Sequence, residues 1–325
     1  MNFSPRAPSA PVKILSLFLL AILAISGPSC FRDPPAVRYT RLGDGLRSEG
    51  KAEEAKEYYR QAVRADPRYI PARRGLAQVL QSQGYVSEAV KELEEAIRID
   101  PKDSEAHRLL GDIYLEKRQM DEAIEKYKLA IEFDPQSAIA RERMAAALHE
   151  MGQMDAAEEV YKESLDADSD YAPSRLGLGN VHADRGEIEK AAEDFEKAVK
   201  LDPQNADAHN NLANALLELK KPEEARPHYE KAVGLAPEDP AIRYNYGQFL
   251  LSQSLFPEAL QEFDRAVSID SKFAAALWGK GRVHEMQGNP EEALRWYSKA
   301  CGQGLKAGCE GMAQIEAAMR APAKP

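Results

Sequence analysis

From residue 36 the sequence repeats itself every 34 residues, eight times over, to residue 307. Numbering each copy from 1, position 8 is always Gly or Ala: Gly43, Ala77, Gly111, Ala145, Gly179, Ala213, Gly247 and Gly281. Position 20 is always Ala, from Ala55 to Ala293, and position 27 is Ala except for Ser164. Position 24 is large, as in Tyr59, Leu93, Phe195 and Tyr297. Position 32 is Pro in five copies: Pro67, Pro101, Pro135, Pro203 and Pro237.

Each copy holds two stretches with apolar residues three and four apart, the spacing of amphipathic helices. Small residues at positions 8 and 20 let the two helices approach, and the large residue at position 24 fills the space beside them. Gly50, Gly84, Gly152, Gly186 and Gly288, at position 15, suit the tight turn between helices. The Asp-Pro pair stops the second helix, because Pro disfavours helical geometry in the residue before it. One helix pair cannot bury its apolar face alone, so stacking of neighbours supplies the core.

Period and residue pattern together resemble the tetratricopeptide repeat (TPR). The resemblance covers about five-sixths of the chain. It implies an all-α, right-handed superhelical solenoid of eight helix-turn-helix repeats over 36–307. A further helix over 308–320 is expected to cap the open end, followed by a frayed tail at 321–325. Two departures stand out. Pro227 falls inside the second helix of copy six and should loosen its first turn. Lys280 takes an apolar position in copy eight, as an atypical terminal repeat would.

The N-terminus reads as an export signal over residues 1–29. Arg6 and Lys13 precede an apolar run, Ile14 to Ile25, too short to span a membrane. Cys30 follows it and resembles the lipidated cysteine of bacterial lipoproteins. Ser29 fits that pattern, whereas Gly27 and Pro28 depart from it. Residues 30–35 then form a short linker. The expected place is the periplasmic side of a membrane, tethered through a lipid on Cys30, with the outer membrane favoured where there is one.

The chain has a net charge of -10 at pH 7, which argues against general nucleic-acid binding. No HExxH pair, GxSxG elbow or phosphate loop occurs. His182 and His284 fall at position 11, a helix-packing position. Nothing in the pattern calls for a catalytic residue, a metal or a cofactor.

What remains is a surface. In the TPR family the first helices line a concave groove, through positions 2, 5, 6, 9, 12 and 13. In copies one to four the corresponding and adjacent positions carry Arg41, Arg74, Arg108 and Arg143 among Asp44, Asp112, Glu116 and Glu142. In copies five to eight they carry Asn180, Asn210, Asn211, Asn214, Tyr244, Asn245, Gln248, Trp278 and Arg282. An amide both donates and accepts, so it can pair with an extended peptide's backbone. Asn211 and Asn245 share position 6 and are expected to form a short ladder. The stretch NNLAN resembles the asparagine-bearing repeats of O-linked N-acetylglucosamine transferases, although no transferase domain follows. Tyr244 and Trp278 are expected as exposed aromatic anchors. The carboxylate clamp known in the family is missing from copies two to four: Arg74 and Gln78 are followed by Leu109, and Arg108 and Asp112 by Arg143.

The resemblance therefore implies a non-enzymatic scaffold of the bacterial cell envelope that binds proteins or extended peptides in its groove. The alternative is a regulatory or substrate-recruiting subunit of an envelope enzyme, in glycosyl transfer or peptidoglycan machinery.

The stretch WYSKACGQGLKAGC resembles the cysteine-rich Sel-like cousins of this repeat, whose bridged cysteines share this spacing. That resemblance implies a disulfide between Cys301 and Cys309. A metal site would want more ligands nearby, and a reactive thiol has only Lys306 as a cationic neighbour.

Overall fold

The computed structural model describes residues 33–320. The expected signal peptide, the lipidation at Cys30 and the tail at 321–325 lie outside the described residues. Within them the chain is helical throughout, in seventeen helices packed as consecutive pairs. It divides at Asp134 into two compact units.

The first unit holds copies one to three: α1 (Pro35–Ser48) with α2 (Ala52–Ala65), α3 (Ile70–Ser82) with α4 (Val86–Ile99), and α5 (Ser104–Glu116) with α6 (Met120–Phe133). The second holds copies four to eight. These are α7 (Ala138–Glu150) with α8 (Met154–Ala167), α9 (Ala172–Asp184) with α10 (Ile188–Leu201), and α11 (Ala206–Glu218) with α12 (Pro222–Leu235). Then come α13 (Pro240–Ser252) with α14 (Phe256–Ile269), α15 (Ala274–Met286) with α16 (Pro290–Gly302), and a last helix α17 (Lys306–Arg320). That last helix begins two residues before its expected start.

The turn between paired helices is left-handed at position 15 in every copy. Five copies place Gly there, with φ near +75°, as at Gly50 and Gly152. Arg118, Lys220 and Ser254 take the same conformation without being glycine, at a steric cost of about 1–2 kcal/mol for each side chain. Six of the eight second helices end on an aspartate; those of copies six and eight end on Ala236 and Gln303. Asp66, Asp100, Asp168, Asp202 and Asp270 each accept a bond from the N–H two residues on. This side-chain turn also ends the helices at Asp168 and Asp270, where Ser rather than Pro follows.

The large residue at position 24 is buried between two first helices. The Tyr59 ring lies against Gly43 of its own copy and Gly75 of the next, and the Phe263 ring lies against Gly247 and Gly279. A methyl group at these glycines would enter the ring. Where the ring is tyrosine, its hydroxyl often donates to the position-9 side chain of its own copy: Tyr59 to Asp44 at 2.6 Å, Tyr127 to Asp112 at 2.9 Å, and Tyr229 to Asn214 at 2.6 Å. Ser164, the exception at position 27, is fully buried. It donates to the Ala138 carbonyl and accepts from Ser174.

Helix α12 runs unbroken through Pro227. The N–H that Pro227 lacks would have reached Glu223, inside the first turn, so the expected loosening costs no helix. Lys280 is buried by local partners. Its Nζ lies 2.5 Å from Asp264 Oδ1 and 3.3 Å above the Trp296 ring.

Cys301 and Cys309 are joined by a disulfide, with Cα atoms 4.6 Å apart. It ties α16 to α17 beside a left-handed Gly304. Helix α17 then lays Gly311 on the Tyr297 ring and buries Ile315 in the same cluster.

Candidate functional site

The asparagines of copies five to seven stand on α9, α11 and α13, and the structure joins four of them into one chain. Asn245 Nδ2 donates to Asn210 Oδ1 at 3.0 Å, Asn210 Nδ2 to Asn211 Oδ1 at 3.0 Å, and Asn211 Nδ2 to Asn180 Oδ1 at 2.9 Å. The expected direct ladder from Asn211 to Asn245 does not form, because Asn210 lies between them. Asn210 is itself only 7% exposed, so it links the helices rather than presenting its amide to a partner. Asn180, Asn211, Asn214 and Asn245 are half-buried.

Asn180, Asn211 and Asn214 line one wall of an open hollow of about 460 Å³. Its floor is apolar, made of Phe195, Ile188, Ala183 and Ala215. Its rim carries two carboxylates, Asp184 and Glu218, and the imidazole of His149, whose Nε2 lies 2.8 Å from Asp184 Oδ2. The groove expectation did not include these three residues. Asp184 and Glu218 both occupy position 13, and Glu150 precedes them at the same place in copy four. The 34-residue frame could have found them.

The other expected binding residues lie away from this hollow. Tyr244 is half-buried, its ring 5.9 Å from that of Phe263 and 6.0 Å from that of Phe273. Burial pushes its hydroxyl pKa up. Trp278 packs on the cluster of Ala293, Tyr297 and Ile315, with Arg282 above its ring at 5.7 Å. Neither aromatic is the exposed anchor that was expected, because an adjacent helix covers each. Gln248 is half-buried on α13.

In the first unit the groove arginines are held by their own chain. Arg74 reaches Asp103 at 3.1 Å, and Arg108 is clamped by Glu105 and Asp112, at 2.6 Å each. Those carboxylates hold the Arg108 guanidinium well above its ordinary pKa despite its burial.

Position 4 pairs with position 23 inside several copies. Arg73 meets Glu92, Arg175 meets Asp194 and Arg243 meets Glu262. His182 joins the Asp194 pair at 2.9 Å. Copy six places His209 and His228 there instead. Among the described residues no cluster of three or more His, Cys, Asp or Glu side chains is arranged to hold a metal. No described helix is long and apolar enough to cross a membrane.

Family models described as tetratricopeptide repeat match residues 46–113, 136–204, 176–240, 211–272 and 270–307, and one described as TPR repeat matches 111–152. The chain belongs to the tetratricopeptide repeat family. Every matching model is of this repeat. No curated protein matches the chain in sequence.

Among solved structures, the TPR protein YrrB, described as having an unusual peptide-binding site, is 27% identical over 60% of this chain and 99% of its own, with a TM-score of 0.50. The Cut9–Hcn1 hetero-tetramer of the APC/C matches at 15% identity and a TM-score of 0.69, over 93% of this chain and 59% of that one. PilF of Pseudomonas aeruginosa matches at 22% identity and 0.59, over 67% of this chain and all of PilF. The last two are likenesses of fold.

Proposed function

We propose that this TPR chain is a non-enzymatic scaffold that holds an extended segment of a partner protein in the groove of its second unit. The hollow beside Asn180, Asn211 and Asn214 carries this reading. Asn180 and Asn214 each accept a bond through Oδ1 and keep their amide N–H groups for a ligand. Asn211 keeps one. Donors on a half-buried wall above an apolar floor suit a peptide backbone with one side chain turned inward. The peptide-binding site of YrrB, at 27% identity, agrees with it.

The sequence of residues 1–35 supports a place in the cell envelope, with a lipid on Cys30 as tether. A photo-crosslinking side chain at Asn214, in cells, should capture a partner that the same side chain on the exposed Glu291 does not. That partner, purified, should bind the wild type and lose about tenfold or more with Asn211→Ala and Asn214→Ala together, since two lost bonds are worth roughly 1 kcal/mol each. Unchanged affinity in the double variant, with helicity intact, removes the reading.

A further inference from the structure

We infer that the hollow of the second unit takes a cationic side chain, lysine or arginine, from the peptide bound in the groove. The inference rests on the groove reading above and names what that groove selects.

The charges on the rim have one sign. Asp184 is the last residue of α9 and Glu218 the last of α11, so two helix C-termini reach this rim. The negative ends of the two helix dipoles add partial charge of the same sign as the two carboxylates. Among the described residues no cation of the chain pairs with Glu218. Arg185, next in sequence to Asp184, is committed elsewhere, to Glu158 and Asp155. His149 is the only basic side chain lining the hollow, and it already faces Asp184.

The apolar lining of the hollow fits the same ligand. Phe195 is 2% exposed and, with Ile188 and Ala215, forms a floor that offers no hydrogen bond. Lysine and arginine lay an apolar stem on such a floor and keep the charged head at a polar rim. An acidic side chain would meet two carboxylates. An aliphatic one would fill the floor and leave the carboxylates without a counter-charge. Toward the C-terminus the acidic run at position 13 stops with Glu218, because that position is Ser252 in copy seven and Met286 in copy eight.

The test is selection of a displayed library of random twelve-residue peptides on the full chain, followed by affinity measurements on the enriched peptides. We expect them to share one Lys or Arg, and its replacement by Leu to weaken binding about tenfold or more. Asp184→Asn with Glu218→Gln should erase that difference, and Glu218→Lys should favour an acidic residue instead. Both positions are exposed, so circular dichroism should be unaltered. Peptides that depend on Asn211 and Asn214 but carry no basic residue, or a basic preference that survives the double carboxylate variant, would overturn the inference and leave the groove reading standing. Enriched peptides indifferent to Asn211 and Asn214 would overturn both.

Discussion

His209 and His228 face each other with their Nδ1 atoms 2.9 Å apart, at the two positions where copies two, five and seven place an arginine and a carboxylate. His209 Nε2 also lies 3.3 Å from the Pro203 carbonyl, so its Nδ1 is the acceptor and His228 supplies the shared proton. Burial holds both imidazoles below their ordinary pKa. At His209 the Pro203 carbonyl and Asp202 oppose this and Lys231 adds to it; at His228 the neighbouring His209 adds to it, and Glu196 and Glu224 oppose it.

The pH dependence follows from that direction. Below an ordinary histidine value of about 6.5 the unfolded chain takes up protons that the folded pair resists. Stability should therefore be full above about pH 6.5 and fall as the pH drops through the depressed folded values. His209→Arg with His228→Glu rebuilds the ion pair of the other copies and should flatten this loss. Thermal unfolding from pH 5 to 8 checks it; equal slopes for the variant and the wild type would refute the assignment.

Asn210 and Asn180 should separate in a stability experiment. Asn210→Ala removes a buried amide that serves two neighbours and should cost roughly 1–3 kcal/mol. Asn180→Ala, at the end of the chain of amides, should cost less than about 1 kcal/mol. Urea unfolding followed by circular dichroism measures both.

Arg118, Lys220 and Ser254 hold left-handed backbone with φ of 61°, 61° and 58°. Replacing each with Gly should stabilise by about 0.5–1 kcal/mol, the steric relief exceeding the added chain entropy. Gly84→Ala, the reverse change at the same position, should destabilise by about 1 kcal/mol. A rise in melting temperature for the three glycine variants is the readout.

Gly177 lies against the Tyr161 ring of the preceding copy. Gly177→Ala should cost about 1–3 kcal/mol, because the added methyl overlaps a ring with no room to move. Tyr161→Leu in the same chain should recover part of it, since Leu93 fills this position in copy two. No recovery in a double-mutant cycle would show that the ring is not what the methyl meets.

Reduction of the Cys301–Cys309 bond should weaken the end of the second unit by about 2 kcal/mol, the modest effect of a short closed loop. Hydrogen exchange should rise in α16 and α17 while α9 keeps its protection, because contacts in such an array run only between neighbours. Cys301→Ser with Cys309→Ser should reproduce the reduced protein.

The 34-residue frame alone makes the helices, the turns at Gly50 or Gly186 and the placement of Asn211 and Asn214 readable. It carries less about direction within a helix. Asn210 and Asn211 are adjacent in sequence, yet they sit about 100° apart on the helix, and that angle buries the first and leaves the second half-open. Tyr244 and Trp278 read as exposed because their covers arrive from far along the sequence: Phe273 closes copy seven just before α15, and Ile315 lies on the last helix. The rim carboxylates Asp184 and Glu218 are visible at position 13 of the repeat. Their meaning comes only with the hollow, since a polar residue on a wet helix face has no distinguishing pattern. The partnership of positions 4 and 23 is likewise hidden, because its chemistry changes from an ion pair to two imidazoles between copies.

The rings of Tyr59 and Phe263, each seated between a glycine of its own copy and one of the next, have a consequence for how such a chain can change in length. Each such joint carries its own spacer. A duplication of 34 residues brings a new ring together with both its seats, and a deletion of 34 removes one complete set. The remaining joints keep their separations either way, so the number of copies can drift while the local width of the groove is inherited unchanged.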